Sequence, residues 1–597
     1  MSSTKAKSKT AWGAMKSARA KGTFRRLLAY LLPHKALSLS ILGLIAAVNL
    51  SALAKPLFIK VLADEFIVPG AFINGQGRSV AVLAFAYIGV MLFGMGAFYL
   101  QTLLITKLGM RIACRLREEV FSVILHMPLS RLNHFSAGRL ITRTTNDVEA
   151  VSELFTDILV SLIKDGILVV GVLLAMVRLS PSLTGWAFLV LPPMTALVLW
   201  IRKQIHANWV VLKQITGRLN GFIAENVSGM KIVQLFNGQQ AKWREFTRLN
   251  DDFYQHALVQ MRMHSLSGPS ANLFESLATV LILGMGLGAM KAGTADIGGL
   301  IALTLYIRQF FVPVADLAES FTQIESALVS ADRIFELLEE KSQGERLRQG
   351  IALPILRGEI EFRHVSFAYE GEEYVLKDVS FHIHPGETFA LVGQTGSGKT
   401  TIISLLCGFY PVNEGEILLD GIPIEALSKR DLRRKISVVL QDVFLFSGTL
   451  RENITLGDDI PPKVLEKALA DSQARGLMDR NPLGFEAEVL EAGVGYSMGE
   501  RQILSFARAL AHDPAIFVLD EATANIDTKT EALIQKALEE ASAHRTTLII
   551  AHRLSTIRRA DHILVLEQGS VVEEGSHLEL MAQGGRYEAM VSGAGAH

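Results

Sequence analysis

The sequence predicts a multidomain membrane protein: a six-helix α transmembrane domain with long cytoplasmic extensions, followed by an α/β P-loop nucleotide-binding domain. Three observations carry this prediction. Of 597 residues, 50% are hydrophobic and 20% charged, with a mean hydropathy of +0.31, which is too apolar for disorder or for an ordinary water-soluble enzyme. The long uncharged runs all lie in the first half. The second half carries Gly393-Gln394-Thr395-Gly396-Ser397-Gly398-Lys399-Thr400 directly after an apolar strand. Balanced charge, 59 basic against 59 acidic residues, excludes a general nucleic-acid binder. With Cys114 and Cys407 the only cysteines, there is no disulfide framework and no cysteine zinc site.

Residues 1–35 hold nine Lys/Arg, and no acid precedes Asp64. This is a basic tail attracted to anionic lipid, with Phe24–Leu32 as an interfacial elbow helix. The membrane domain is expected over 36–337. Runs 36–54, 79–106 and 179–201 lack any charge and reach the roughly 18–20 residues that cross a bilayer as a helix. Weaker spans follow at 154–177 with Lys164 and Asp165, 263–290 with Glu275, and 297–315 with Arg308. Intramembrane charges are functional candidates because burying them is costly. Lys164 and Asp165 are adjacent, so they are expected to point to different sides of the helix and not to form an i,i+4 pair.

A cytoplasmic N-terminus makes loops 107–150 and 202–262 cytoplasmic. These are rich in Lys and Arg, whereas the opposite loops carry little beyond Arg78, Arg178 and Lys291. The basic excess belongs inside, so both termini are cytoplasmic. The two basic loops are too long to be simple connections and read as helices extending from the spans. The first breaks at Pro128, and turn signals near Gly138 and Gly229 mark a short transverse helix at each tip. A charged linker over 338–350 leads to the soluble domain, 351–597, whose opening alternates apolar and polar residues as strands do.

The glycine-rich run fits a P-loop: it follows the strand Thr388–Val392 and opens the helical Thr401–Leu406. Glycines let successive backbone N–H groups turn onto phosphates, and the helix start adds its positive dipole end. Lys399 is placed to reach the β/γ-phosphates and the Thr400 hydroxyl to ligate Mg²⁺. A second apolar strand, Ala515–Leu519, ends in Asp520-Glu521. Two acids after a strand are common, but beside a P-loop they suit a metal carboxylate (Asp520) and a group that polarises the attacking water (Glu521). A third strand, Thr547–Ala551, ends in His552, a γ-phosphate contact if the three strands lie in one doubly wound sheet.

On these motifs the chain resembles the ATP-binding cassette (ABC) exporters in which one membrane domain precedes one nucleotide-binding domain, and the resemblance covers nearly the whole chain. It implies ATP and Mg²⁺ as cofactors. Tyr369 is then the adenine-stacking residue, Thr401 part of the ATP site, and Thr400, Gln441 and Asp520 the metal set. Glu521 is the general base, His552 the switch, and Ala524-Asn525-Ile526-Asp527 the loop facing a second subunit. The segments RLNHFSAGRLITRTTNDVE and NGFIAENVSGMKIVQLFN look like the two hairpins whose tips couple to nucleotide domains. The resemblance also implies a bacterial cytoplasmic membrane, with hydrophobic small molecules or lipid as cargo.

The chain departs from the family at its signature. Where LSGGQ is usual, it has Tyr496-Ser497-Met498-Gly499-Glu500, followed by the matching Arg501-Gln502. In the family this segment acts on the ATP of the partner subunit. Met498 hinders close approach, and Glu500 places an anion near phosphate, a repulsion on the order of 1–4 kcal/mol. One intact and one altered half-site in a single chain fits a heterodimer with a second ABC half-transporter; a homodimer tolerant of the change is the alternative. Two cargo classes compete, multidrug-type export of hydrophobic compounds and flipping of a lipid or lipid-linked glycan. The short linker disfavours an ATP-gated channel, and a basic tail in place of a further N-terminal domain disfavours a peptide exporter.

Overall fold

The computed structural model describes residues 22–68, 77–291, 293, 295–339, 350–352, 355–520, 528–551 and 554–592. The chain divides into two compact units, one of Met1–Ser122 and Ala137–Leu338, the other of Val123–Ser136 and Glu339–His597. The short segment Val123–Ser136 thus groups with the C-terminal unit although it is flanked on both sides by the first.

In the first unit, six helices among the described residues are long and apolar enough to cross a membrane: Gly22–Ile67, Val80–His126, Ala137–Leu179, Pro181–Ser228, Gln239–Lys291 and Ile297–Val314. The 53-residue helix Gln239–Lys291 is about 80 Å long at about 1.5 Å per residue, against roughly 30 Å of hydrocarbon. Long stretches of these helices therefore lie outside any bilayer. Large apolar side chains such as Phe85, Phe93 and Leu174 face outward, while Val172, Met176, Tyr306 and Phe310 form the buried seam.

Polar side chains in the seam bond to backbone carbonyls of neighbouring helices, because lipid offers them no partner. Asn49 Nδ2 donates to Lys164 O at 2.8 Å, Ser51 Oγ to Val90 O at 2.9 Å and Tyr306 Oη to Leu53 O at 2.6 Å. The first spanning helix is tied in this way to the second, third and sixth.

Two sequence expectations change. Lys164 and Asp165 do pair, with Nζ 3.4 Å from Oδ1. The long lysine side chain folds back over its neighbour, so adjacency on the helix does not keep the charges apart. The first short tip helix, Leu129–Leu132, lies ahead of Gly138. Pro128 sets this turn, since it cannot continue the helix that ends at His126, and Gly138 falls inside the next helix, Ala137–Thr142. At the second tip, Met230–Leu235 follows Gly229 as expected.

The third spanning helix is interrupted by π turns at Arg143–Asp147 and Leu154–Ile158. The first of them turns a buried Asp147 carboxylate onto the helix Ile297–Glu339, whose start is the sixth span, where it accepts from Ser330 Oγ at 2.8 Å and pairs with Arg333 Nη1 at 3.5 Å. Arg143 Nη2 lies 3.6 Å from Glu336 Oε2 beside it.

The second unit is α/β. Its strands are β1 (Ile360–Phe367), β2 (Leu376–Ile383), β3 (Thr388–Gly393), β4 (Glu414–Leu419), β5 (Ile422–Pro423), β6 (Ile436–Val439), β7 (Gly448–Thr449), β8 (Glu488–Val489), β9 (Ile516–Asp520), β10 (Thr546–Ile550), β11 (His562–Glu567) and β12 (Ser570–Gly575). An antiparallel sheet runs β2-β1-β4-β5, the main sheet runs β12-β11-β3-β10-β9-β6, and β7 pairs with β8. All pairings in the main sheet are parallel except β11 with β12. Residues Phe389–Leu391, Ile516–Leu519 and Leu548–Ile550 are buried without alternation, as strands covered on both faces must be. Helix α1 (Lys399–Leu406) follows β3, α2 (Met498–Ala511) precedes β9 and α3 (Thr528–Ser542) follows it.

Replacing Asp147 with Ala leaves Ser330 and the Arg333 guanidinium without their shared acceptor, at an expected cost of about 1–3 kcal/mol. Thermal unfolding of the detergent-solubilised protein should start at lower temperature; an unchanged transition would show that the cluster contributes nothing.

Candidate functional site

The main sheet brings the candidate residues to one edge. Leu391 of β3 pairs with Ile550 of β10, and on the other side of β10 Ile550 pairs with Asp520, the last residue of β9. The P-loop, the carboxylate of Asp520 and the chain leaving β10 therefore meet at the carboxyl ends of parallel strands, where ligands bind in doubly wound sheets.

Local sterics fix the loop. A Cβ on Gly393 would sit 2.3 Å from Leu566 O. Gly398, which caps α1, has φ +104°, and a Cβ there would meet Leu376 Cδ2 at 2.5 Å. Between them Ser397 N donates to Gln394 O at 3.1 Å, and the Ser397 hydroxyl is buried with no hydrogen-bond partner among the described residues. Thr395 and Gly396 form the exposed crest of the loop. Lys399 is only 6% exposed, and its Nζ donates to Gly393 O at 2.7 Å and Gln394 O at 2.9 Å. Burial pushes its pKa below the ordinary lysine value, against the opposing charge of Asp520. A desolvated ammonium resting on two neutral carbonyls and an unsatisfied buried hydroxyl both gain from a phosphate anion, so the residues present fit a nucleotide phosphate.

Thr400 opens α1 on the exposed side, and Thr401 is buried, its Oγ1 3.1 Å from Tyr369 Oη. The half-exposed Tyr369 ring stands edge-to-face on Phe367 at 4.9 Å and on Tyr410 at 5.1 Å, which leaves an aromatic face open. Tyr410 Oη in turn accepts from Asn133 Nδ2 at 2.7 Å, in the segment Val123–Ser136. An unbroken chain of contacts thus runs Asn133–Tyr410–Tyr369–Thr401. Sequence reasoning missed Tyr410; its only signal was the Phe409-Tyr410 pair after α1.

Gln441 is exposed just beyond β6. The segment after it is held by Arg508 of α2, whose Nη1 and Nη2 each donate to Phe444 O at 3.1 Å and whose Nε donates to Asn453 O at 2.7 Å. Burial lowers the Arg508 pKa. Arg508, too, escaped the sequence reading, because a lone arginine in a helix carries no pattern.

The altered signature forms the start of α2. Ser497 is its N-cap in a complete capping box: Ser497 Oγ accepts from Glu500 N at 3.2 Å, and Glu500 Oε2 accepts from Ser497 N at 3.0 Å. Glu500 Oε1 also lies 3.1 Å from Arg480 Nη2. The sequence placed an anion at this position; the carboxylate is tied to the helix cap and to a cation 20 positions away, which reduces the repulsion. Gly499 is buried and Met498 is 44% exposed. Glu521, Asp527 and His552 lie outside the described residues.

Comparison with known proteins agrees with this geometry. Residues 39–314 match the ABC transporter transmembrane region and residues 376–524 the ABC transporter family. A Bacillus subtilis relative, named "Probable multidrug resistance ABC transporter ATP-binding/permease protein YheH", is 39% identical over 530 residues, covering 87% of this chain and 77% of its own. A fatty acid ABC transporter ATP-binding/permease protein of Mycobacterium tuberculosis is 35% identical over 537 residues, 89% of this chain and 84% of the relative. An ATP-dependent lipid A-core flippase of Nitrosococcus oceani is 32% identical over 576 residues, 95% and 94% respectively. A bacterial Atm1-family ABC exporter with ATP bound has the same fold, with a TM-score of 0.76 and 24% identity over 94% of this chain and 99% of that one.

The chain belongs to the ABC transporters, as an exporter that fuses its membrane and ATP-binding domains in one polypeptide. It is a multi-pass membrane protein that acts as a dimer and couples ATP hydrolysis to transport.

Changing Arg508 to Ala removes the donor from the carbonyl oxygens of Phe444 and Asn453 and should destabilise the ATP-binding unit by about 1–3 kcal/mol. Limited proteolysis should then cut near Phe444 well before it cuts the wild-type protein; identical cleavage rates would exclude this tie.

Proposed function

We propose that this chain is one half of a heterodimeric exporter. It moves hydrophobic or amphipathic compounds outward across the cytoplasmic membrane, with both termini cytoplasmic. The observation that carries this reading is the contrast between a complete phosphate cradle around Lys399 and a signature whose Glu500 adds a negative charge at the start of α2. The partner supplies a consensus signature to this chain's ATP, while the partner's own ATP faces Ser497, Met498, Gly499 and Glu500 at a slow site.

In the working half-site the loop N–H groups, Ser397 and Lys399 hold the phosphates, and Tyr369 stacks on adenine. Thr400, Gln441 and Asp520 are the residues that would hold Mg²⁺, which when bound neutralises charge on the phosphates. Glu521 takes the proton of the attacking water, and His552 contacts the γ-phosphate. Asp527 belongs to the loop that meets the other chain. ATP favours the closed pairing of the two ATP-binding domains because only that pairing completes its contacts, and a ligand shifts an equilibrium only by such a differential. The Asn133–Tyr410–Tyr369–Thr401 contacts link the adenine-stacking ring to a hairpin tip. At the other tip Ile232, Leu235, Phe236 and Trp243 are all exposed, an apolar surface that a partner chain would cover.

Export of drug-like compounds draws support from the relative named for multidrug resistance. The relatives named for fatty acid and lipid A-core transport favour a second reading, a lipid or lipid-linked glycan flippase. ATP-dependent uptake of an amphipathic dye by inside-out vesicles, set against stimulation of ATPase by lipid, separates the two.

The pairing is tested by purified components: this chain alone should hydrolyse ATP slowly, and addition of a half-transporter with an LSGGQ signature should restore turnover. High stimulated activity of the chain alone would overturn the heterodimer. Within the assembly, Glu500→Gln keeps the capping box, which glutamine also completes, but removes the charge. With Arg480 already offsetting part of that charge, the gain is expected near 1 kcal/mol, about a fivefold rise in turnover at the slow site; no rise would clear Glu500 of any role.

A further inference from the structure

At the far end of β3 from the P-loop, three metal-ligating side chains converge on the outer face of the antiparallel sheet. Ile360 of β1 pairs with Ile383 of β2, and both are fully buried. Their neighbours must therefore point outward. Glu359 falls opposite His384, and His382, two residues back along β2, lies on the same face. The ligating atoms of Glu359, His382 and His384 all lie within 4.8 Å of one another. His382 Nε2 is 2.7 Å from Glu359 Oε1, and the two imidazole centroids are 4.4 Å apart.

Both backbones are held. Asp420 accepts from the backbone N–H groups of Arg357, Gly358 and Glu359 at 2.6, 3.1 and 2.9 Å. His384 N donates to Glu387 Oε2 at 2.8 Å, and Gly386 N to Thr546 Oγ1 at 3.0 Å. Arg363, a cation on the same face, is engaged by Glu361 and Glu416.

We propose that Glu359, His382 and His384 form a binding site for a borderline divalent cation, Zn²⁺ first. The cation ties the start of β1 to the turn that feeds β3. Two imidazoles and one carboxylate form a nitrogen-rich donor set that suits Zn²⁺, Ni²⁺ or Cu²⁺ and disfavours Mg²⁺ and Ca²⁺, which take oxygen. Bonds of about 2.0–2.1 Å at tetrahedral angles put ligand atoms about 3.3 Å apart, so side-chain rotation closes the cluster around an ion without backbone movement. Three protein ligands leave a fourth position to water. The site uses no residue of the ATP machinery, so it stands or falls independently of the transport reading.

The test uses the full chain, purified without a polyhistidine tag, stripped with chelator and titrated with Zn²⁺ alone. One equivalent should bind. His384→Ala and Glu359→Gln should each weaken binding at least about tenfold, since even losing a partner outside the ligand shell costs about 10–100-fold. The triple variant Glu359→Gln, His382→Ala, His384→Ala should lose the site, and Zn²⁺ should raise the melting temperature of the wild type but not of this variant. Co²⁺ in place of Zn²⁺ should give a visible absorption band that His384→Asn, a single exposed change, removes. The proposal is overturned if the wild type takes up no Zn²⁺, or if the triple variant binds it as tightly as the wild type does.

Discussion

The ATP-binding unit is organised by where a buried cation can find its charge. Lys399 sits at the carboxyl edge of strands that are apolar along most of their length, so within the sheet only Asp520, at the end of β9, is placed to serve it. Two loop carbonyls hold its ammonium, and Asp520, one strand beyond β10, supplies the nearby negative charge. A group this poorly solvated favours an anion strongly, which suits the loop to phosphate before any partner or substrate is considered. The close approach of Gly393 to β11 and the left-handed turn at Gly398 are what allow the loop to wrap around that position.

From this cradle the contacts lead outward in two directions. Through Thr401, Tyr369 and Tyr410 they reach Asn133, in a segment that interrupts the membrane unit yet groups with the ATP-binding one. Through Arg508, helix α2, whose start carries the signature, is hydrogen-bonded to the stretch that follows the metal candidate Gln441. The capping box at Ser497 and the Glu500–Arg480 pair make that helix start self-sufficient. A helix terminus that already satisfies its own donors has less to offer a phosphate on another chain.

Much of this was legible in the sequence because it rests on periodic or local signals. Uncharged runs of bilayer length located three of the six helices, weaker charge-bearing runs pointed to the other three, and the P-loop announced itself by composition and by the strand before it. Contacts that depend on distant residues were not legible. Arg480 and Glu500, Asn133 and Tyr410, Asp147 and Ser330 are brought together by folding, and no local pattern marks them. The reading that Lys164 and Asp165 point to different sides of the helix and form no i,i+4 pair did not foresee their contact as neighbours, because helix geometry fixes Cβ directions, whereas a four-carbon side chain can turn back. The break at Pro128 was legible, and the short helix at the first tip follows it directly, ahead of Gly138.

The central claim is that phosphate held at Lys399 supplies the work for transport. The most direct measurement is ATP-dependent dye uptake by inside-out vesicles containing the assembled transporter, wild type against Lys399→Ala, with Mg-ATP retention followed in parallel. The account predicts that the substitution abolishes both uptake and retention at this half-site while the protein still assembles in the membrane. Uptake at the wild-type rate by the substituted transporter would contradict it.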